Sequence, residues 1–192
     1  MLAHKAFRSM VRVLVAVCNG SEEIETVTPV DVLRRAGVEV ILAASGESLL
    51  VTMSRGIKLQ ADSLLSAQSS EGWDMVVVPG GPGASNLRDD QHLTNILKDQ
   101  NSSGKWIASI CASPVVVLKA HGLLEGVRAT CYPALAAELP GRSEDRVVVD
   151  RNIITSQGPA TSMDFSLELV NTLLGQEARN EVAQKVLFSP LS

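Results

Sequence analysis

Cys111 stands in the run Lys105-Trp-Ile-Ala-Ser-Ile-Cys-Ala-Ser-Pro114, where an apolar stretch stops abruptly and small residues follow. Trp106 to Ile110 has the apolar, β-branched character of a strand buried on both faces, and Ala112 to Ala120 reads as the helix behind it. The cysteine is therefore predicted at a strand-to-helix corner, with Ser109 two positions before it and Ser113 two after. That small-x-nucleophile-x-small spacing resembles a nucleophile elbow, whose tight turn leaves no room for bulk. A helix starting behind the sulfur aims unpaired N–H groups and a positive dipole end at it, which favours thiolate over thiol. The competing use of such a residue is a buried structural cysteine at a turn.

Chemistry at a thiolate needs a group that gives and takes protons. Three histidines are available, and none is an obvious base: His4 lies in the leading residues, His92 on the polar side of a helix and His121 at a helix C-terminus. The carboxylates Glu22, Glu23 and Glu25 stand at or near a helix N-terminus, where any of them can simply complement the helix dipole. One that faced the sheet edge could approach Cys111, be pushed toward its protonated form and donate a hydrogen bond to sulfur. No Cys/His spacing matches a zinc site, and no metal or cofactor is expected.

The elements that must position these groups follow from periodicity. Val11 to Val17 reads as a buried strand ending at the turn formers Cys18-Asn19-Gly20. Ser21, or Asn19 with Glu22, can cap the next helix, which carries Ile24, Val27, Val30 and Leu33 inward and stops at Ala36-Gly37. Val38 to Ala43 is a second strand. Leu49 to Gln60 reads as short strands on an edge or flap, turning at Arg55-Gly56. Met75 to Val78 is a buried strand closed by Pro79-Gly80-Gly81-Pro82-Gly83, and Ala84 to Asp99 reads as a helix. The Gly-rich corner matches no phosphate-loop pattern, and Pro82 removes an amide; its glycines instead let backbone amides approach a reacting group. A short strand at Val127 to Cys131, paired strands at Arg146 to Asp150 and Asn152 to Ser156, a helix from Ala160 to Leu174 and an amphipathic helix from Glu177 to Leu187 complete the chain. Alternation of this kind predicts an α/β fold with a doubly wound, mostly parallel sheet sandwiched by helices. In such sheets, strand-to-helix loops gather at one edge, so Cys18 to Glu25, Gly80 to Gly83 and Cys111 to Ser113 are expected to meet there.

Composition narrows the function classes. A chain of 192 residues, 45% hydrophobic and 20% charged, suits one domain over residues 11–192 behind an extension at residues 1–10. Net charge of -4 argues against nucleic acid as a partner. Three cysteines without a secretory or membrane-spanning segment point to a reducing, cytoplasmic setting and to no membrane partner.

Five segments resemble the ThiJ/PfpI superfamily: Gly20-Ser-Glu-Glu-Ile-Glu-Thr-Val27, Asp31-Val-Leu-Arg-Arg-Ala-Gly37, Val78-Pro-Gly-Gly81, Ile110-Cys-Ala-Ser-Pro114 and Thr155-Ser-Gln-Gly-Pro-Ala-Thr-Ser162. Within it the chain is most similar to the DJ-one-like branch, which includes the parkinsonism-associated protein deglycase. The resemblance runs in order from about Val11 to Val186. It implies a flavodoxin-like sandwich, a homodimer, Cys111 as nucleophile, Glu25 as its protonated partner, and backbone amides near Gly81 and Ala112 as an oxyanion pocket. The implied activities are glutathione-independent glyoxalase action on methylglyoxal or glyoxal and deglycation of early adducts on proteins and nucleotides. Redox sensing by oxidation of Cys111, or chaperone action, is the implied alternative. Asn19, Gly80 and Tyr132 are expected near the substrate. Two departures stand out: Tyr132 replaces a histidine that many members carry before the proline, and Gln157 replaces an arginine of close relatives. The tyrosine can donate a hydrogen bond to a substrate oxygen or cover the pocket with its ring, and Arg55 of a dimer partner is expected to supply charge.

Overall fold

A computed structural model describes residues 10–189, so His4 and most of the N-terminal extension lie outside the described residues. Strand β1 (Arg12–Val17) is an unbroken apolar run with every residue after Arg12 buried, as a strand covered on both faces requires. It pairs in parallel with β2 (Glu39–Ala44) on one side and β6 (Met75–Val78) on the other. Beyond β6 come β7 (Trp106–Ile110), then β9 (Ile153–Ser156), and finally β8 (Val147–Asp150), which runs antiparallel to β9 at the sheet's edge. The short β5 (Ser63–Leu64) closes the other edge, giving seven strands in the order β5-β2-β1-β6-β7-β9-β8. Strands β3 (Leu50–Thr52) and β4 (Lys58–Gln60) form a separate antiparallel hairpin turning through Arg55-Gly56, as the sequence predicts.

Helices cover both faces, and each face has its own apolar core. On one, α1 (Glu23–Arg35), α4 (Ser162–Leu174) and α5 (Gln176–Lys185) bury residues such as Leu33, Phe165, Leu169 and Val182. On the other, α2 (Ala84–Asp89) and α3 (Gln91–Ser102) bury Leu87, Leu93, Ile96 and Leu97 beside Trp73 and Val117. Each fully buried aliphatic side chain contributes about 1.5–3 kcal/mol of transfer free energy. The architecture is a flavodoxin-like α/β sandwich, and no described helix is long and apolar enough to cross a membrane.

Several expectations need correction. Ile24 and Val27 do not face the core: they are 52% and 48% exposed, while Val30 and Leu33 are buried. The helix turns its buried stripe through Thr26, Pro29, Val30 and Leu33, which leaves Ile24 and Val27 on the outer side. Glu22, not Ser21 or Asn19, caps α1, because the Ser21 hydroxyl is taken by the Cys18 N–H and the Asn19 carboxamide by the Thr52 N–H. The helix expected over Ala84 to Asp99 breaks at Asp90, whose extended backbone ends α2 while its carboxylate caps α3 at His92 and Leu93. No strand forms at Val127 to Cys131, where Arg128 N–H and Thr130 N–H donate to the side chains of Asp150 and Thr155 instead of a ladder. The stretch after Cys111 is helical but irregular, with π-type bonding over Pro114–Leu118 and a single tight turn at Lys119–His121.

Candidate active site

The C-terminal ends of β1, β6, β7 and β9 lie side by side in register, so the segments after them converge. Glycine lets two of these segments touch. Gly83 N–H donates to the Gly20 carbonyl at 2.9 Å, and Glu22 N–H donates to the Gly80 carbonyl at 3.0 Å. At Gly80 the fit is tightest: a Cβ there would lie 2.7 Å from Cys111 Cβ, 2.8 Å from Glu25 Oε2 and 3.0 Å from the Ala112 nitrogen. Three separate loops thus meet within one side-chain radius.

Cys111 follows β7 directly and adopts φ 66, a left-handed conformation that costs an L-residue about 1–2 kcal/mol. Its backbone is held on both sides, its N–H donating to the Ser156 carbonyl at 2.9 Å and its carbonyl accepting from Tyr132 N–H at 2.8 Å. The turn throws the side chain toward the Gly80 loop, where the Gly81 and Ala112 amides lie near enough to favour a thiolate. A strained backbone pinned at this point is what a sharp strand-to-helix corner needs to present a sulfur.

Glu25 reaches the sulfur from the first turn of α1. It is fully buried; its Oε2 accepts the Gly80 N–H at 2.9 Å, and its carboxyl group stands beside the Cys111 side chain across Gly80. Its other oxygen, Oε1, is buried with no hydrogen-bond partner. Burial pushes the carboxyl up to about 7, reinforced by the nearby Glu22 charge and opposed by the bonds from Cys111 and Gly80. Burial likewise pushes the Cys111 thiol up to about 12, and the charge and hydrogen bond of an ionised Glu25 add to this against the two amides. Once Glu25 holds the proton, its charge no longer opposes a thiolate, and the carboxylic acid becomes a donor to sulfur. The two groups are therefore coupled, the protonation of one setting the cost of ionising the other.

The remaining expected residues divide. Tyr132 lies on the same edge, its ring carbons 3.4 and 3.8 Å from where a Gly158 Cβ would stand, and that point lies 3.9 Å from Glu25 Oε1. The tyrosine is 45% exposed, so its ring roofs the cleft from the solvent side. Gly81 adopts φ 95, and a Cβ there would meet the Glu22 nitrogen and the Gly20 carbonyl at 2.6 Å, so its amide has only one available position. Asn19 is committed elsewhere: its Oδ1 accepts from Thr52 N–H, and its carbonyl accepts from Cys18 and Asn86. Gln157 turns its amide onto the carbonyls of Glu144 and Asp145. Arg142, whose side chain is almost buried, donates to the Cys131 carbonyl and pairs with Glu144. Arg55 contributes its backbone N–H to Glu23, which also accepts from Ser54 Oγ. Glu23 thus ties the hairpin to α1, and of the three acidic candidates only Glu25 stands beside Cys111. Cys18 and Cys131 are free and buried, and burial raises both thiols. His92 and His121 bond the Gln68 and Arg88 carbonyls respectively. Among the described residues no cluster of three His, Cys, Asp or Glu side chains is placed to hold a metal ion.

Comparison with known proteins decides the family. The model of the DJ-1/PfpI family matches residues 11–172. The chain belongs to the DJ-1/PfpI family. It is 43% identical over 185 residues to Protein DJ-1 homolog B of Arabidopsis thaliana, covering 95% of this chain but 42% of the plant protein. The chain therefore spans less than half the length of that relative. It is 36% identical over 173 residues to a Caenorhabditis elegans protein named glutathione-independent glyoxalase DJR-1.2, covering 88% of this chain and 91% of the other. Among solved DJ-1 structures, that of oxidized Toxoplasma gondii DJ-1 superposes with a TM-score of 0.92 at 44% identity, covering 94% of this chain and all of that one.

Glu22 is the side chain that caps α1. Its capping role has no signature of its own, because serine, threonine, aspartate and asparagine are the side chains that ordinarily mark a helix start.

Proposed function

We propose that this DJ-1/PfpI family member is a cysteine-dependent, glutathione-independent glyoxalase and deglycase. Its substrates in this reading are methylglyoxal, glyoxal and their early adducts on proteins and nucleotides. The observation that carries the reading is the contact between the Cys111 sulfur, a buried Glu25 carboxyl and two main-chain amides. The Cys111 thiolate attacks the aldehyde carbon of methylglyoxal. The carbonyl π electrons move to oxygen, which the Gly81 and Ala112 amides stabilise until Glu25 delivers its proton. Glu25, now a carboxylate, removes the hydrogen left on the former aldehyde carbon and returns it to the neighbouring carbon, while the hydroxyl proton of the enediol passes from the first oxygen to the second. The result is a thioester of lactate, whose C–S bond water cleaves to give lactate and free Cys111. Methylglyoxal and water thus become lactate with no external oxidant or reductant. On an early adduct, the sulfur displaces the amine of the protein or nucleotide from the aminocarbinol carbon, the C–N bond breaking as Glu25 gives its proton to the departing nitrogen, and the same hemithioacetal forms. Tyr132, on the solvent side of the cleft, supplies a hydroxyl to a substrate oxygen.

The C. elegans relative named as a glyoxalase supports this assignment. The oxidised form in which the T. gondii relative was solved supports a second use, oxidation of the Cys111 thiolate by a peroxide, which is reduced to water or an alcohol, to a sulfenate that Glu25 holds by a hydrogen bond and a cellular thiol reduces again. The working unit in this reading is a homodimer, formed through the exposed Ile24 and Val27 of α1 with Leu50 and Ile57 of the adjacent hairpin. Three free thiols suit a reducing cytoplasm.

The test is lactate formation from methylglyoxal without glutathione by wild-type protein, Cys111→Ala and Glu25→Gln. Turnover in the wild type that disappears in both variants is expected. Wild-type activity no greater than buffer refutes the glyoxalase reading and favours the oxidation chemistry.

A further inference from the structure

We infer that Glu22 is a positioning residue for the Cys111–Glu25 pair, its carboxylate being locked against Glu25 by a closed ring of three hydrogen bonds. Glu22 N–H donates to the Gly80 carbonyl at 3.0 Å, Gly80 N–H donates to Glu25 Oε2 at 2.9 Å, and Glu25 N–H donates to Glu22 Oε2 at 2.8 Å. The ring joins the first turn of α1 to the glycine loop that touches Cys111, so displacement of one member moves the other two. Glu22 is 9% exposed, and Thr26 holds its carbonyl from the next turn.

Capping alone does not call for this side chain. Serine, threonine, aspartate and asparagine cap more effectively because their shorter side chains reach the free N–H groups with less ordering. Glutamate instead puts a fixed negative charge beside a carboxyl group that must keep its proton until substrate arrives, and two adjacent carboxylates cannot both ionise easily. The charge acts on Glu25 and is not among the influences on the sulfur itself, so it biases Glu25 toward its protonated form. The other groups around Glu25 do not perform this task. The corner after β7 brings Cys111, the Gly80 loop brings only amides, and the segment before Pro133 brings the Tyr132 ring. The Gly158 turn brings no charge, its neighbour Gln157 being bonded to carbonyls. Glu23 is turned away to Ser54 and Arg55.

This inference rests on Cys111 and Glu25 being the reacting pair, and its test separates the two ideas. The rate of alkylation of Cys111 by iodoacetamide is followed by peptide mass mapping across the neutral pH range, with Cys111→Ala as blank. The proteins compared are wild type, Glu22→Gln, Glu22→Ser and Glu22→Asp, and methylglyoxal turnover is measured in parallel. Glutamine and serine keep a capping oxygen but remove the charge, so Glu25 gives up its proton more readily and the sulfur keeps its own. Alkylation at neutral pH is expected to fall about three- to tenfold in both, the equivalent of half to one pKa unit. Turnover is expected to fall in kcat rather than KM, and aspartate is expected to restore most of both. A purely structural cap would change melting temperature in these variants and leave the alkylation profile alone. Equal profiles in wild type, Glu22→Gln and Glu22→Ser overturn the inference. Absence of turnover in the wild type overturns the glyoxalase reading and leaves the alkylation comparison standing. Should glutamine prevent folding, the serine variant carries the same decision.

Discussion

Replacing Gly80 by alanine tests whether the three loops are as closely fitted as the site requires. The added methyl would stand 2.7 Å from Cys111 Cβ and 2.8 Å from Glu25 Oε2, whereas ordinary contacts begin at 3.4 Å. The loop and the Cys111 Cβ must therefore separate by about 0.7 Å, the difference between 3.4 and 2.7 Å. Overpacking of this kind costs about 1–3 kcal/mol. In a domain of this size each kcal/mol lowers Tm by about 2–4 °C, so a fall of roughly 2–12 °C is expected. The kinetic effect should be larger, because misplacing reacting groups by about 1 Å costs on the order of a hundredfold in rate. Gly80 has no positive φ, so the effect comes from bulk and not from backbone strain. Gly37→Ala is the control: its φ is 81 but nothing lies within 4 Å of the new Cβ, so stability falls and turnover survives. Thermal melting and methylglyoxal turnover of both variants decide the matter. Gly80→Ala turning over within twofold of wild type would refute the claim that contact between Gly80, Glu25 and Cys111 sets the reactive geometry.

Glu25 should also govern how stability varies with pH. Its folded value of about 7 lies above the 4.5 of a free glutamate, so the native state binds more protons between those limits. Stability is therefore lost as pH rises through that window and levels off above it, by about 3 kcal/mol in all. Urea denaturation at either end should show this slope in wild type and a flatter one in Glu25→Gln, with the variant the more stable at the alkaline end. Asp90→Ala removes the acceptor for His92 N–H, Leu93 N–H and the Ser45 hydroxyl, and should cost about 1–2 kcal/mol on melting while leaving turnover near wild type. Ile24→Glu with Val27→Glu places charge on the exposed apolar side of α1, and sedimentation should show monomers where wild type sediments as a dimer. An unchanged dimer would place the interface elsewhere.

The parts of the fold that were legible in the sequence are those whose patterns have one physical solution. Met75 to Val78 can only be a strand buried on both faces, and Pro79 to Gly83 can only be a turn, so the second of the converging loops was visible. Ile110-Cys111 was visible for the same reason, an apolar run meeting small residues. Spacing does not reveal which side of an amphipathic helix faces the core when apolar residues occupy more than one side. Ile24 and Val27 share helical spacing with Val30 and Leu33, and tertiary contacts alone separate them. The break at Asp90 was hidden because Ala84 to Asp99 contains no glycine or proline, only an aspartate that serves as both stop and cap. At Val127 to Cys131 the expected ladder bonds go to the side chains of Asp150 and Thr155, a substitution that no periodicity records. Glu22 was visible as one of three carboxylates at a helix start, but the bond from its N–H to the Gly80 carbonyl joins residues remote in sequence and has no local signature.

Both groups that favour a thiolate at Cys111 are main-chain amides, at Gly81 and Ala112. An amino-acid replacement alters what hangs from an amide but leaves the amide itself, except where proline is introduced. The floor of the cleft is thus heritable independently of the residues that line its walls. Mutation can exchange the roof residue at position 132, or the side chain at 157, without dismantling the hydrogen bonds beneath. Replacement of a surrounding side chain accordingly leaves the sulfur where the backbone puts it.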